Sequence, residues 1–295
     1  MTRPSPRRSS SIVLAAAAVL LGGLLVPVGL TASSAAPPPD CGGVLSKSTG
    51  GVWKCTFVDH FSGQSVDTEK WIALETRRTG GRKEECRVDS PHNIAVADGT
   101  LRLTVREEAE PFVCESPTGD YTTRYTAGGV TSATRFSQTY GRFEIRAKFP
   151  SAKVQGLHSA LWMWPQERRY GDLSGEIDIA EFRTLGHDRV VPTVHYRDDG
   201  TDANKTNWWC YVENADQFHT YAVEWTPETM TFLYDGQVCL VNRWSPAAPL
   251  KRPQPFDEPY FLIMNQSLGE YLNAFDPAIT PLPATMEIDY VKVWR

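Results

Sequence analysis

Polar and apolar residues alternate along most of this chain with a period of two. The stretch Arg142-Phe143-Glu144-Ile145-Arg146-Ala147-Lys148-Phe149 alternates without a break. That period sends successive side chains to opposite faces of a strand. Similar patterns predict strands at 93–96 and 101–105, flanking the hairpin dipeptide Asp98-Gly99. Further strands are predicted at 129–136, 141–149, 158–164, 176–182 and 190–196. Residues 221–225 turn at Pro227-Glu228 into 231–234, and Asp235-Gly236 turns that strand into 238–242. Strands at 260–264 and 286–294 close the series. Helical periodicity is confined to one turn at 67–71, and 117–125 and 166–174 read as loops. Many short strands with turn signals between them predict an all-β fold, an antiparallel sandwich or barrel without internal repeats.

The first 36 residues break this pattern. Arg3, Arg7 and Arg8 precede an apolar run from Ile12 to Leu30, and Ser34-Ala35-Ala36 supplies small residues before Pro37-Pro38-Pro39. This reads as a cleaved signal peptide; Gly22, Gly23 and Pro27 interrupt the run and argue against an anchor. Residues 37–50 read as a short Pro/Gly/Ser-rich linker, and 51–295 as one domain. A secreted protein is expected. Its six cysteines then imply three disulfides, with fifteen connectivities open. Pairing of local neighbours (41–55, 86–114, 210–239) is favoured because the cysteines fall into three local pairs. A metal site reads poorly, since there is no C-x-x-C and the six histidines are scattered. The formal charge is −5, and the leader carries only positive charge, so a nucleic-acid or anionic-lipid partner is not expected. Nine tryptophans and eleven tyrosines suit a core, and they also suit the flat faces of sugar rings.

One octapeptide carries the chemistry. Residues 175–182 read Gly-Glu-Ile-Asp-Ile-Ala-Glu-Phe. Glu176 and Asp178 share a strand face, but Glu181 belongs to the other face unless an extra residue bulges out between 178 and 181. With the bulge, Glu176 and Glu181 lie about 13 Å apart at Cα, from pleats of ~3.3 Å. Inward-leaning side chains then bring the carboxyl groups to about 5 Å, the separation used in retaining glycoside hydrolysis. Asp178 between them crowds like charge and drives the two pKa values apart. The competing readings are a solvated polar face and an acidic calcium loop. Ile177, Ile179 and Phe182 weigh against both, because the opposite face is core and a calcium loop calls for Gly and Asn in a turn.

The motif resembles the E-x-D-x-x-E signature of glycoside hydrolase family 16, and the resemblance runs from about residue 52 to 295. Val58-Asp59-His60-Phe61, Tyr140 to Glu144, Ala160 to Pro165, Tyr221 to Pro227, Tyr234-Asp235-Gly236, Leu262 to Asn265 and Met286 to Trp294 match family segments in order. The resemblance implies a concanavalin A-like jelly roll with a sugar cleft on its concave sheet. It implies Glu176 as nucleophile, Asp178 as its helper and Glu181 as acid/base. It points to Trp162, Trp164, His195 and Asn265 as cleft residues, and to Trp225 and Trp294 as core. Trp208 and Trp209, beside Cys210, are expected either to line the cleft or to pack on a disulfide, with the second preferred. No catalytic cofactor is implied. A structural calcium is, held by Asp289 and a backbone carbonyl near Gly99.

The match also departs from the family. Laminarinase-type members carry Trp-Pro where this chain has Gly171-Asp172 and His158-Ser159. Arg168, Arg169 and Arg183 lie nearby, as surface charge or as contacts for an anionic glycan. The expected activity is endo-acting retaining hydrolysis of a β-1,3-glucan by a monomer. A galactan, a mixed-linkage glucan, transglycosylation and a non-catalytic carbohydrate-binding role remain the alternatives.

Overall fold

The computed structural model describes residues 39–47 and 50–295. The signal-peptide reading of residues 1–36 lies outside the described residues. Strands β1 (Cys55–Asp59), β2 (Ile72–Ala73), β3 (Cys86–Arg87), β4 (Ile94–Ala97) and β5 (Thr100–Cys114) come first. Then follow β6 (Tyr121–Thr131), β7 (Gly141–Lys148), β8 (Leu157–Pro165), β9 (Glu176–Arg183) and β10 (Val190–His195). The series ends with β11 (His219–Trp225), β12 (Met230–Tyr234), β13 (Gln237–Asn242), β14 (Tyr260–Leu268) and β15 (Ala284–Trp294). The one α-helix among the described residues, α1 (Thr76–Thr79), is a single turn.

The strands hydrogen-bond in the order β10-β9-β8-β14-β6-β5-β15-β7-β11-β12-β13. All pair antiparallel except β3 with β6. The path folds back at β5 and β6, so β10-β9-β8-β14-β6 forms one layer and β5-β15-β7-β11-β12-β13 the other. Contacts across the gap prove the layering. Phe149 stacks on Phe182 at 4.9 Å, Trp225 meets Tyr260 edge-on at 5.3 Å, and the Tyr234 hydroxyl donates to the Ile179 carbonyl at 3.0 Å. The architecture is an antiparallel jelly-roll sandwich.

The core is what the period-two pattern predicts. Phe143, Ile145 and Ala147 of β7 are fully buried between the layers, as are Ile177, Ile179 and Phe182 of β9. Each such large apolar side chain contributes roughly 1.5–3 kcal/mol on burial. Trp225 and Trp294 are buried as well. The turn at Asp67–Trp71 forms, closed by Trp71 N–H donating to the Asp67 carbonyl at 2.9 Å. Trp71 is then locked by its indole N–H, which donates to buried Asp59 at 2.8 Å.

Two expectations change. The loop read at 117–125 is in part strand: Tyr121 to Thr123 pair with Phe112 to Cys114, and β5 runs to Cys114. The Thr and Tyr residues there suit an edge ribbon, and pairing across the sheet supplies a partner that local pattern does not reveal. Within the stretch read as a linker, Cys41 is buried and disulfide-bonded to Cys55, and Ser46 bridges to Val52. That part packs on the domain instead of spanning a gap. The other disulfides join Cys86 to Cys114 and Cys210 to Cys239, so local neighbours pair throughout. No helix among the described residues is long and apolar enough to cross a membrane.

The start of β9 is set by a close approach. A Cβ on Gly175 would lie 2.3 Å from the Phe256 ring, which is fixed in the core. Replacing Gly175 by Ala is therefore expected to lower unfolding stability by about 1–3 kcal/mol through overpacking. Denaturant unfolding checks this, and an unchanged midpoint would show that the ring yields freely.

Candidate active site

Strand β9 carries a bulge. Against β8, Asp178 pairs with Trp162 and Ala180 with Leu161, which leaves Ile179 without a counterpart. Against β10, Asp178 pairs with Thr193 and Glu181 with Val191, so two residues oppose one. The extra residue resets the phase, as the octapeptide requires. Ile177, Ile179 and Phe182 enter the core, while Glu176, Asp178, Glu181 and Arg183 share the other face.

Glu176, Asp178 and Glu181 line one depression of about 180 Å³. Its other walls include Trp162 and Ala160 of β8, Asn265 of β14, and Arg82 and Arg87 from the approach to β3 and β3 itself. The Trp162 indole N–H donates to the Asn265 side-chain oxygen at 2.8 Å, so the two cleft residues fix each other. Asn265 in turn donates to Ser267 at 3.0 Å. His195 lies exposed on β10 across from Glu176, with Nε2 at 2.8 Å from Asp178 Oδ2. Trp164 follows Trp162 on the same face, edge-on at 6.1 Å, but lies outside the depression. Arg168 covers its ring at 5.9 Å.

The acids are not equivalent. Burial, and next the charge of Asp178, push the Glu176 carboxyl up to about 8. Burial and the charge of Glu181 hold buried Asp178 well above the usual carboxylate range. Burial acts to raise Glu181 too, but His158 Nε2 at 2.9 Å and Arg183 at 2.8 Å from its Oε1 outweigh it, and its carboxyl falls. Burial and mutual repulsion thus favour a proton on the Glu176–Asp178 side, and the His158 and Arg183 donors favour the Glu181 carboxylate. Glu176, Asp178 and His195 also present ligand atoms within 4.8 Å of one another. The hydrogen bond from His195 to Asp178 already accounts for that grouping.

Several residues take other places than expected. Asp289 sits at a bulge in β15, where Ile288 and Tyr290 pair with consecutive residues of β7, and its carboxylate is ion-paired with Arg146. One carboxylate already engaged does not fit calcium, which takes six to eight oxygen ligands. Gly99 serves the β4–β5 turn: Asp98 and Gly99 have φ of 53° and 70°, the left-handed pair of a tight hairpin. Trp208 is exposed, not packed on the disulfide. It lines a neighbouring cavity of about 460 Å³ with His158, Arg183 and Tyr271. Trp209 is exposed too, beneath Arg189 at 5.2 Å. Arg168 and Arg169 pair with Asp172 and Glu167 at the surface, whereas Arg183 enters the site.

Sequence reading missed His158 as a partner of Glu181. Its signal was present: His158, Ala160, Trp162 and Trp164 fall at period two on β8, so the histidine shares the cleft face. Arg82, Arg87 and Glu270 had no such signal. They come from irregular or two-residue segments that only the tertiary fold brings to β9.

The family described as "Glycosyl hydrolases family 16" matches residues 82–291. The chain is 31% identical to glucan endo-1,3-beta-glucosidase A1 of Niallia circulans over 80% of its own length, but it spans only 37% of that protein. It is 32% identical to the beta-glucanase of Rhodothermus marinus, covering 82% of this chain and 85% of that one. Its fold superposes on the endo-beta-1,3-glucanase of Pyrococcus furiosus with a TM-score of 0.70 at 26% identity, covering 85% of this chain and 97% of the other. The chain belongs to glycosyl hydrolases family 16.

Proposed function

We propose that residues 51–295 form a single catalytic domain of a secreted, endo-acting glycosidase that cleaves β-1,3-glucan with retention of configuration. One observation carries this reading: the bulge at Ile179 turns Glu181 onto the face of Glu176 and Asp178, in a depression that also holds Trp162 and Asn265. The substrate follows from the relatives, whose names specify endo-1,3-β-glucan cleavage. The endo mode is supported by the names of the relatives, and the depression shares His158 and Glu270 with an adjoining cavity of about 460 Å³. Secretion rests on three disulfides, which persist in oxidising compartments.

In the first step the Glu176 carboxylate attacks the anomeric carbon, and Glu181 protonates the departing oxygen. In the second, Glu181 takes a proton from water, and the hydroxide oxygen displaces Glu176 from the sugar. The first step needs Glu176 ionised and Glu181 protonated; the second begins with Glu176 bonded to the sugar and Glu181 ionised. We place one proton in the resting Glu176–Asp178 pair, so the reactive form of the first step has the same number of protons placed the other way round. Moving one proton from the Glu176–Asp178 side to Glu181 therefore reaches the reactive form without exchange with solvent. Asp178 serves this transfer, because its charge is what competes with Glu176 for the proton. His195 steadies Asp178 through their hydrogen bond. Trp162, fixed by Asn265, offers a flat face for a sugar ring. Asp289 is left to its ion pair with Arg146, and no step involves a metal.

Glu176→Gln is expected to abolish release of reducing ends from laminarin while leaving the fold intact by circular dichroism. Retained hydrolysis in that variant would remove Glu176 from the nucleophile's role. The pH profile gives a separate check. Once the shared proton is lost, no acid remains, so kcat/KM should fall as pH rises through about 8. Asp178→Asn removes a charge that raises Glu176, so the alkaline limb should move to lower pH along with a loss of rate. An alkaline limb unmoved by that substitution would separate Asp178 from the shared proton.

A further inference from the structure

Glu181 is held by one oxygen only. His158 Nε2 lies 2.9 Å from Oε1, and Arg183 donates to the same Oε1 at 2.8 Å. Among the described residues no hydrogen bond reaches Oε2. The two donors come from facing positions on adjacent strands, since His158 of β8 pairs in register with Arg183 of β9. The His158 side chain is largely buried on β8 and places an imidazole donor on the proposed acid/base.

We propose that His158 is a positioning residue for Glu181: together with Arg183 it grips Oε1, reserves Oε2 for the glycosidic oxygen, and couples the acid strength of Glu181 to its own charge. This rests on the assignment of Glu181 as acid/base. The proton balance is simple. The proton on Oε2 passes to the leaving oxygen as the bond between sugar and leaving group breaks. The negative charge left on Glu181 is met at Oε1 by the His158 and Arg183 donors. In the second step a water proton returns to Oε2, while the imidazole keeps its own proton throughout. A charged imidazole favours the carboxylate, so it makes Glu181 the stronger acid and the weaker base.

The charged groups that face the pair come from several elements. Arg183 and Asp178 lie on β9 itself, with Glu176 and His195 beyond Asp178. Arg82 and Arg87 approach from the β3 side, Glu270 follows β14, and Arg189 lies past β9. Arg82 is ion-paired with Glu270 at 3.0 Å, so those two largely offset each other.

The test compares two substrates of the intact chain. Laminarin has a sugar leaving group that needs a proton; a dinitrophenyl β-glycoside of a short β-1,3-glucan has one that does not. His158→Ala should lower kcat on laminarin by ~10²-fold, the lower range of general acid catalysis, and leave dinitrophenol release within about threefold. His158→Gln keeps a donor but no charge. It should recover part of the laminarin rate and lose the dependence on imidazole charge from the pH profile. Equal losses on both substrates, with the wild-type pH profile unchanged, would overturn the proposal and leave His158 a structural residue. If the variants do not fold, the downfield His158 imidazole N–H resonance of the wild-type protein should vanish in Glu181→Ala; its persistence would overturn the proposal. Failure of the underlying reading looks different: wild-type protein inert on laminarin, or Glu181→Gln as active as wild type, removes the acid/base itself.

Discussion

The single extra residue in β9 is the constraint on which the site depends. Without it, strict alternation would send Glu181 into the core beside Phe149 and Tyr221, and would put Ala180 and Phe182 in the cleft. A carboxylate buried there unpaired would cost several kcal/mol. The bulge avoids that cost and gains a third acid for the cleft in the same move. It is held from both sides. Phe182 stacks on Phe149 at 4.9 Å, and the carbonyl of the bulged Ile179 accepts from the Tyr234 hydroxyl of the opposite layer. The shape of the core thus fixes the phase of the acids, and a change in packing far beneath the cleft would be felt at Glu181.

Three acids on one face repel one another, and the protein settles this by giving each a different neighbour. Glu176 is left to burial and to its acidic neighbour, so it retains a proton. Asp178 is met by His195 from β10. Glu181 is met by His158 from β8 and Arg183 from its own strand. Two histidines from the two flanking strands therefore bracket the signature. The result is a site whose acids differ in how readily each holds a proton. The proposed double displacement requires such a difference, because the same acid must first give a proton and then take one back.

The cleft's recognition surface is built by different means. Trp162 and Asn265 come from neighbouring strands, and the indole N–H donates to the Asn265 side-chain oxygen at 2.8 Å. The region beyond His158 is made of loops. Trp208, two residues before Cys210, and Tyr271, in the turn after β14, are exposed aromatics that line the cavity adjoining His158.

How much could be read in advance follows from the range of each interaction. The strands, the hairpin at Asp98-Gly99, the bulge between 178 and 181 and the shared face of the acids are local properties: they depend on alternation over a few residues and on steric rules for turns. So is the even count of cysteines. Partnerships across the sheet are not local. Nothing in the sequence near Glu181 announces His158 more than twenty positions away, and nothing near Asp289 announces Arg146. The segment 121–125 became strand only because β5 offered it an edge. The sequence by itself determined which residues face the cleft and which face the core, because burial of apolar side chains enforces a period of two. Only the tertiary structure decided which charges meet, because register between strands distant in sequence sets those distances, and those distances decide where the proton rests.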